Sequence, residues 1–172
     1  KLAKLNPIYL PCPSLMAAPH IFEKNISKVK KVGLIYSCPR SIKNNRIDES
    51  VYSFSVNFYN ELFKKYSDNI EFEFICHYID ELAEFYKSFP GHDCRYSYDA
   101  ADYIKLYNDF DLVIGPRVHG IGICASMGIP GINIQHDVRA MTCEQFYAKI
   151  IHAGMTTQEV VSVFEERLNE VE

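Results

Sequence analysis

Apolar residues along this chain recur with two periods, and the shorter period marks the strands. Residues 28–36 are basic and then apolar and β-branched, and residues 70–76 alternate apolar side chains with glutamates. Residues 111–115 and 131–135 are further short apolar runs next to glycine and proline. Short apolar runs bounded by turn residues are typical of buried strands, so we predict a strand in each segment.

The longer period predicts helices, because apolar residues three or four positions apart share one face of a helix. Asp80, Asp99 and Thr142 are suited to cap three of these helices. Residues 37–47 contain Pro39 and are predicted to form a loop, as are residues 136–141. The predicted helices cover residues 49–66, 80–89, 100–107, 117–127, 142–152 and 157–171.

The predicted strands alternate with helices, and no two strands are joined by a two-residue turn. This order is typical of a parallel sheet with helices on both faces, so we predict an α/β fold, doubly wound and Rossmann-like. Residues 111–135 read strand, turn, helix, turn, strand, which is a complete βαβ unit. In open sheets of this kind, ligands bind outside the carboxyl ends of the strands.

Arg117 and His119 lie at the first junction of this βαβ unit, between the strand and its helix. The helix start offers unpaired amides to an anion, and a guanidinium adds a fork that matches a carboxylate or a phosphate. His119 could donate a hydrogen bond or move a proton, and Gly120 beside it lets a substrate approach the backbone. The alternatives are an arginine paired with a nearby carboxylate and a histidine bonded to a loop carbonyl.

Three polar residues, His136, Asp137 and Arg139, follow the next strand at the same edge of the sheet. They either line the same cleft or include an exposed ion pair between Asp137 and Arg139. Arg40 follows the first strand and would point into the crevice if that strand is central, or into solvent if it is an edge. Cys76 and His77 end the second strand, but neighbouring strand residues point to opposite faces, so we reject them as a catalytic dyad.

Composition excludes several function classes. The chain has 172 residues and a formal charge of −4, with no long basic run, so general nucleic-acid binding is not indicated. No apolar stretch approaches the roughly 20 residues of a membrane helix. The six cysteines form no Cys-x-x-Cys pair, which favours reduced thiols and gives no zinc pattern, and we expect no metal or cofactor. Phosphate-binding loops of the Gly-x-x-x-x-Gly-Lys and Gly-x-Gly-x-x-Gly types are missing from the sequence.

The run from Asp111 to Gly120, with the Gly128-Ile-Pro130 turn and Asp137-Val-Arg139, resembles the polysaccharide pyruvyl transferase family. Family members carry Arg-x-His at the helix start, a Gly-x-Pro turn and a later Asp-x-Lys, where this chain has arginine. The resemblance implies a transferase that moves pyruvate from phosphoenolpyruvate onto two sugar hydroxyls of a cell-surface polysaccharide. It implies Arg117 and His119 as catalytic residues. Together with their positions along the chain, it gives a predicted substrate-binding set of Arg117, Gly120, Asp137, Arg139 and Arg40.

The resemblance also implies one half of a GT-B-like enzyme with two Rossmann-like domains. We expect an extended lead-in over residues 1–27 and the C-terminal domain over residues 28–172, with a missing N-terminal domain as a partner. The acceptor would be a glycan or a lipid-linked sugar, and the location cytoplasmic, at the inner face of the membrane. The isolated fragment should then be inactive.

Two other functions fit the same residues. A nucleotide-sugar glycosyltransferase of GT-B type would use Arg117 to hold a diphosphate. A non-catalytic half-domain would use the same junction to bind an anion or to dock a partner.

Overall fold

The computed structural model describes residues 12–44 and 47–171, which form a parallel sheet with helices on both faces. The strand order is β3-β2-β1-β4-β5-β6. Every pair of neighbouring strands is parallel, and β1 pairs with β2 on one side and with β4 on the other. The strands are β1 Lys31–Ile35, β2 Glu71–Ile75, β3 Cys94–Arg95, β4 Leu112–Gly115, β5 Gly131–Gln135 and β6 Lys149–His152.

The helices divide between two apolar layers, one on each face of the sheet. Side chains of β1 alternate between the layers: Val32 and Leu34 join one cluster and Ile35 joins the other. Helices α2, α3 and α6 cover the first cluster, and α4 and α5 cover the second. The helices are α1 Pro39–Asn44, α2 Ser50–Tyr66, α3 Ile79–Ser88, α4 Asp102–Asn108, α5 Val118–Ser126 and α6 Thr157–Val171. The doubly wound, Rossmann-like α/β prediction is confirmed.

The strand order reverses between β1 and β4. The chain builds β1, β2 and β3 outward in one direction and then crosses back, so that β4, β5 and β6 extend the other way. Loops that leave β1 and β4 therefore diverge to opposite faces and open a crevice at their carboxyl ends. The βαβ unit of β4, α5 and β5 lies on one side of this crevice.

Residues 37–47 are not the predicted loop, because α1 occupies Pro39–Asn44. Proline restricts φ to a helical value and needs no hydrogen-bond partner in the first turn, so it begins helices as well as turns. Ser41 and Ile42 are buried on the inner side of α1. Burial of this side stabilises a helix too short to persist on propensity alone.

The helix predicted over residues 142–152 is also wrong. A 3-10 helix spans Val138–Phe146, with Thr142 inside it, and the chain then turns at Tyr147, whose φ is 54°. Strand β6 follows at Lys149–His152 and pairs with β5. A free sheet edge beside β5 supplies hydrogen bonds that the local sequence does not reveal. Strand β3 was not predicted, because two residues are too few for a pattern.

The other helix predictions are confirmed, with small shifts at their starts. Helices α2, α5 and α6 match the predicted segments closely. Helix α3 begins at Ile79 after Tyr78, so Asp80 is not its cap. The Asp99 carboxylate accepts from the Ala101 amide at 2.9 Å, just before α4 begins at Asp102.

The predicted lead-in is described from residue 12 onward, and the possible edge strand at residues 8–10 lies outside the described part. Two short 3-10 helices, Pro13–Met16 and His20–Phe22, make residues 12–27 less extended than predicted. This segment packs against α5, where a Cβ on Gly122 would lie 1.9 Å from the Ser14 hydroxyl oxygen. The described lead-in therefore belongs to the packing of the second cluster, and the boundary at residue 28 stays a prediction.

We expect Phe74→Ala to lower the free energy of unfolding by about 3–5 kcal/mol, because a fully buried ring leaves a cavity. Phe74 is 0 % exposed, and its ring centroid lies 4.3 Å from that of Phe89 and 4.9 Å from that of Phe85. The matched variant Phe72→Ala, on the same strand but half-buried, should lose clearly less. Urea unfolding measures both losses, and equal losses would contradict this account of the core.

Candidate functional site

A cleft of about 660 Å³ lies at the carboxyl edge of the sheet, where the strand order reverses. Its walls come from the segments that follow the first five strands, so residues distant in the chain meet there. The contributors include Ser37 and Ser41 after β1, His77 and Tyr78 after β2, Ser97 and Tyr98 after β3, Pro116 to Gly120 after β4, and His136 and Arg139 after β5. The predicted junction thus lies in the wall of the cleft.

Arg117 immediately precedes α5, and its side chain is 20 % exposed in the cleft wall. Its Nη2 donates to Oε1 of Glu81 at 2.5 Å, and its guanidinium carbon lies 4.5 Å from the centre of the Tyr78 ring. The Arg117 Nε is buried and has no hydrogen-bond partner in the described part of the chain. Arg117 therefore fits both alternatives in part: it lines the cleft, as a ligand-binding arginine would, and it also pairs with a carboxylate inside the protein.

Glu81 is the partner that sequence reasoning missed. It is 0 % exposed, and its Oε2 accepts from the backbone amides of His77 at 2.8 Å and Tyr78 at 3.2 Å. The Ser41 hydroxyl donates to Oε1 at 3.3 Å. A glutamate in the first turn of a helix is a known capping signal, and it could have identified Glu81 as the cap of α3 in place of Asp80. Its pairing with Arg117 joins residues 36 positions apart.

His119 lies exposed in the first turn of α5 and lines the cleft. The first hydrogen bond of this helix runs from the Ile121 amide to the Arg117 carbonyl, at 3.1 Å. The amides of Val118, His119 and Gly120 come before that bond, at the positive end of the helix. An exposed imidazole and a set of helix amides therefore share this wall.

His77, rejected from the sequence as half of a dyad, also lies in the cleft wall. Its Nε2 is 2.8 Å from the Tyr107 hydroxyl, and its ring stacks on Tyr103 at 4.9 Å between centroids. Burial, together with the nearby Arg117 charge, lowers the pKa of His77 to about 3, so the imidazole is neutral. Cys76 belongs to the cluster on the other face of the sheet.

Gly120 leaves room for the Tyr107 hydroxyl. A Cβ on Gly120 would lie 2.5 Å from that oxygen and 2.9 Å from Cδ1 of Ile35. Burial raises the pKa of Tyr107 well above 10, so the phenol keeps its proton and can donate it to His77. A side chain at Gly120 would push Tyr107 away from His77. The predicted contact of Gly120 with substrate stays a prediction.

The other predicted site residues divide between the wall and its surroundings. Arg139 lines the cleft, but its Nε donates to Oδ2 of Asp137 at 2.8 Å, and the side chain is 64 % exposed. Asp137 is not among the lining residues, and its bond to Arg139 lowers its pKa. His136 lines the cleft, and burial lowers its pKa. Arg40 is exposed on α1 and does not line the cleft, although β1 is central.

The polar groups of the cleft wall are mainly N–H donors and imidazoles, and its charged side chains are paired. Each of its two arginines, Arg117 and Arg139, has a carboxylate partner in the protein. Donors for an anion are the amides at the start of α5 and the Nη1 of Arg117, because Nη2 bonds to Glu81 and Nε is buried. Among the described residues no three His, Cys, Asp or Glu side chains are grouped to hold a metal ion.

No helix in the described part of the chain combines the length and apolar character that a membrane span requires.

Comparisons with known proteins identify one family. A family model of polysaccharide pyruvyl transferases matches residues 1–138, a stretch that includes Arg117 and His119. A search of curated proteins finds no match. Among solved structures, the glycosyltransferase SnogD from Streptomyces nogalater is similar in fold, at 15 % identity and a TM-score of 0.40. The alignment covers 80 % of this chain and 35 % of that one, so this chain spans about a third of that structure.

The depressed pKa of His77 predicts a pH-dependent stability. In the unfolded state His77 binds a proton below about pH 6.5, whereas in the folded state it binds one only below about pH 3. The contribution of neutral His77 to the free energy of unfolding is therefore complete above about pH 6.5. It is lost progressively as the pH falls from about 6.5 toward about 3. The slope from one such group is up to about 1.4 kcal/mol per pH unit. Urea unfolding between about pH 7 and pH 5 should show a shallower slope for His77→Gln than for the unmodified protein. Parallel slopes would show that His77 is not held neutral.

Proposed function

The chain belongs to the polysaccharide pyruvyl transferase family, and we propose that it transfers pyruvate from phosphoenolpyruvate onto two hydroxyls of a sugar. The product is a ketal in a cell-surface polysaccharide. The observation that supports this proposal is the position of Arg117 and His119. Both lie within the family match and in the wall of the cleft at the carboxyl edge of the sheet.

Phosphoenolpyruvate presents a carboxylate and a phosphate, and the cleft wall offers donors for both. Arg117 uses Nη2 for Glu81 and its Nε is buried, so the N–H groups of Nη1 are the proposed donors to the substrate anion. The first amides of α5 are suited to the phosphate, because they lie at the positive end of the helix. Gly120 is the proposed backbone contact of the substrate through its amide, while the space that a side chain there would need is occupied by the Tyr107 hydroxyl.

His119 is the proposed proton donor. Two hydroxyl groups add to the carbon that carries the phosphate, the methylene carbon gains a proton and becomes a methyl group, and phosphate leaves. Of the two hydroxyl protons released, one balances the proton given to the methylene carbon and the other leaves with phosphate or solvent. An exposed imidazole beside helix amides can deliver the first proton, or hold the departing phosphate.

Arg139 is proposed to contact the acceptor side of the cleft, with Asp137 holding its guanidinium. Arg40 is not part of the proposed donor site, because it lies exposed outside the cleft wall. The proposed partners are a glycan or lipid-linked sugar acceptor and a second, N-terminal domain that closes a GT-B-like cleft. The proposed location is cytoplasmic, at the inner face of the membrane where such acceptors are assembled.

We expect Arg117→Ala and His119→Ala each to lower kcat/KM for phosphoenolpyruvate by about 100-fold or more in the full-length protein. The assay is phosphate release in the presence of the acceptor. The control is Lys43→Ala, an exposed cation on α1 outside the cleft, which should keep normal turnover. Normal turnover of the Arg117 and His119 variants would remove both residues from the mechanism.

Calorimetry separates the donor classes. Tighter binding of a UDP-sugar or GDP-sugar than of phosphoenolpyruvate would replace pyruvyl transfer with glycosyl transfer. Binding of phosphoenolpyruvate without turnover in any acceptor mixture would favour the non-catalytic, anion-binding reading.

A further inference from the structure

The Glu81 carboxylate is fully buried behind the cleft wall and bonds to residues that line it. It is 0 % exposed and receives four hydrogen bonds, from the Arg117 guanidinium, the Ser41 hydroxyl and the amides of His77 and Tyr78. These donors come from the segments that follow β1, β2 and β4. One side chain therefore connects the loops on both sides of the point where the strand order reverses.

Capping of α3 does not require a charge at this position. A neutral side-chain oxygen can also accept from the amides of His77 and Tyr78, although a carboxylate accepts more strongly, and a buried carboxylate costs desolvation energy unless it is paired. Arg117 is the residue for which the charge matters, because its Nη2 lies 2.5 Å from the carboxylate.

The pair determines how Arg117 faces the cleft. Glu81 holds the Nη2 end, and the Tyr78 ring lies 4.5 Å from the guanidinium carbon, so the planar group is restrained at an edge and on a face. A guanidinium restrained in this way presents the N–H groups of Nη1 in a fixed direction, which lowers the entropy lost when a ligand binds.

We propose that Glu81 is a positioning residue for the donor substrate, which fixes Arg117 in the orientation that binds the donor anion and compensates its charge. This inference rests on the proposed function, in which Arg117 binds phosphoenolpyruvate. It implies that the Arg117–Glu81 pair recognises the donor by hydrogen bonds of fixed direction, and contributes little net positive charge.

The test is steady-state kinetics of Glu81→Gln in the full-length protein, with donor and acceptor varied separately. The substitution keeps an oxygen for the amides of His77 and Tyr78 but cannot hold Arg117 by charge. We expect the KM for phosphoenolpyruvate to rise about tenfold or more, with the acceptor KM unchanged. Glu84→Gln is the matched control, because Glu84 lies on the same helix and pairs with Lys87 outside the cleft wall.

A double-variant cycle shows whether Glu81 acts through Arg117. If it does, Glu81→Gln combined with Arg117→Ala raises the donor KM no further than Arg117→Ala alone, within about threefold. Losses that multiply, or a donor KM that Glu81→Gln leaves unchanged, would overturn the proposal. A rise of donor and acceptor KM together would also overturn it, since a general structural defect has that signature.

Two further measurements keep the outcomes distinct. If Glu81→Gln does not fold, Glu81→Asp keeps the charge and shortens the reach to Arg117, and an unchanged donor KM in that variant would overturn the proposal.

If the unmodified protein binds no phosphoenolpyruvate, the proposed function fails first. Positioning is then tested with inorganic phosphate, whose affinity Glu81→Gln should still lower about tenfold, and an unchanged affinity overturns the positioning role.

Discussion

The buried ion pair between Glu81 and Arg117 is the interaction on which the organisation of the cleft depends. A carboxylate without solvent contact is stable only when donors surround it, and here the donors come from the segments after β1, β2 and β4. The same contacts that satisfy Glu81 therefore hold the walls of the cleft at a fixed separation. Arg117 is held both as part of this structure and as a group facing the cavity.

The sheet topology explains why these residues can meet. Because β1 lies between β2 and β4, the segment after β2 and the start of α5 face each other across the end of β1. The same arrangement brings His77 and Tyr107 within hydrogen-bond distance, and Gly120 leaves space for the phenol oxygen. Packing against aromatic rings shields most of the His77 ring from water and lowers its pKa, so the wall of the cleft carries a neutral imidazole.

These features give the cleft a particular electrostatic character. Both arginines in its wall have carboxylate partners, and His77 is neutral. Recognition of an anion in such a site depends on directed N–H groups at the start of α5 and on Arg117, which favours shape and hydrogen-bond geometry over long-range attraction. The proposed donor carries two different anionic groups, which such geometry would distinguish.

The sequence by itself determined the features that depend on local order. The apolar runs and helical spacing predicted β1, β2, β4, β5 and the helices α2, α5 and α6. These elements are predictable because the periodicity of a strand or a helix depends on residues that are close together in the sequence. The position of Arg117 and His119 at the carboxyl edge followed from the βαβ unit around them.

Only the tertiary structure decided which groups are partners. Helix α1 is stabilised by burial of one side, and β6 by the open edge of β5, so their local sequences were misread as a loop and a helix. Glu81 bonds to Arg117 and His77 bonds to Tyr107, residues that lie 36 and 30 positions away along the chain. Such contacts depend on the fold as a whole, because a hydrogen bond between distant residues leaves no periodic signal in the sequence.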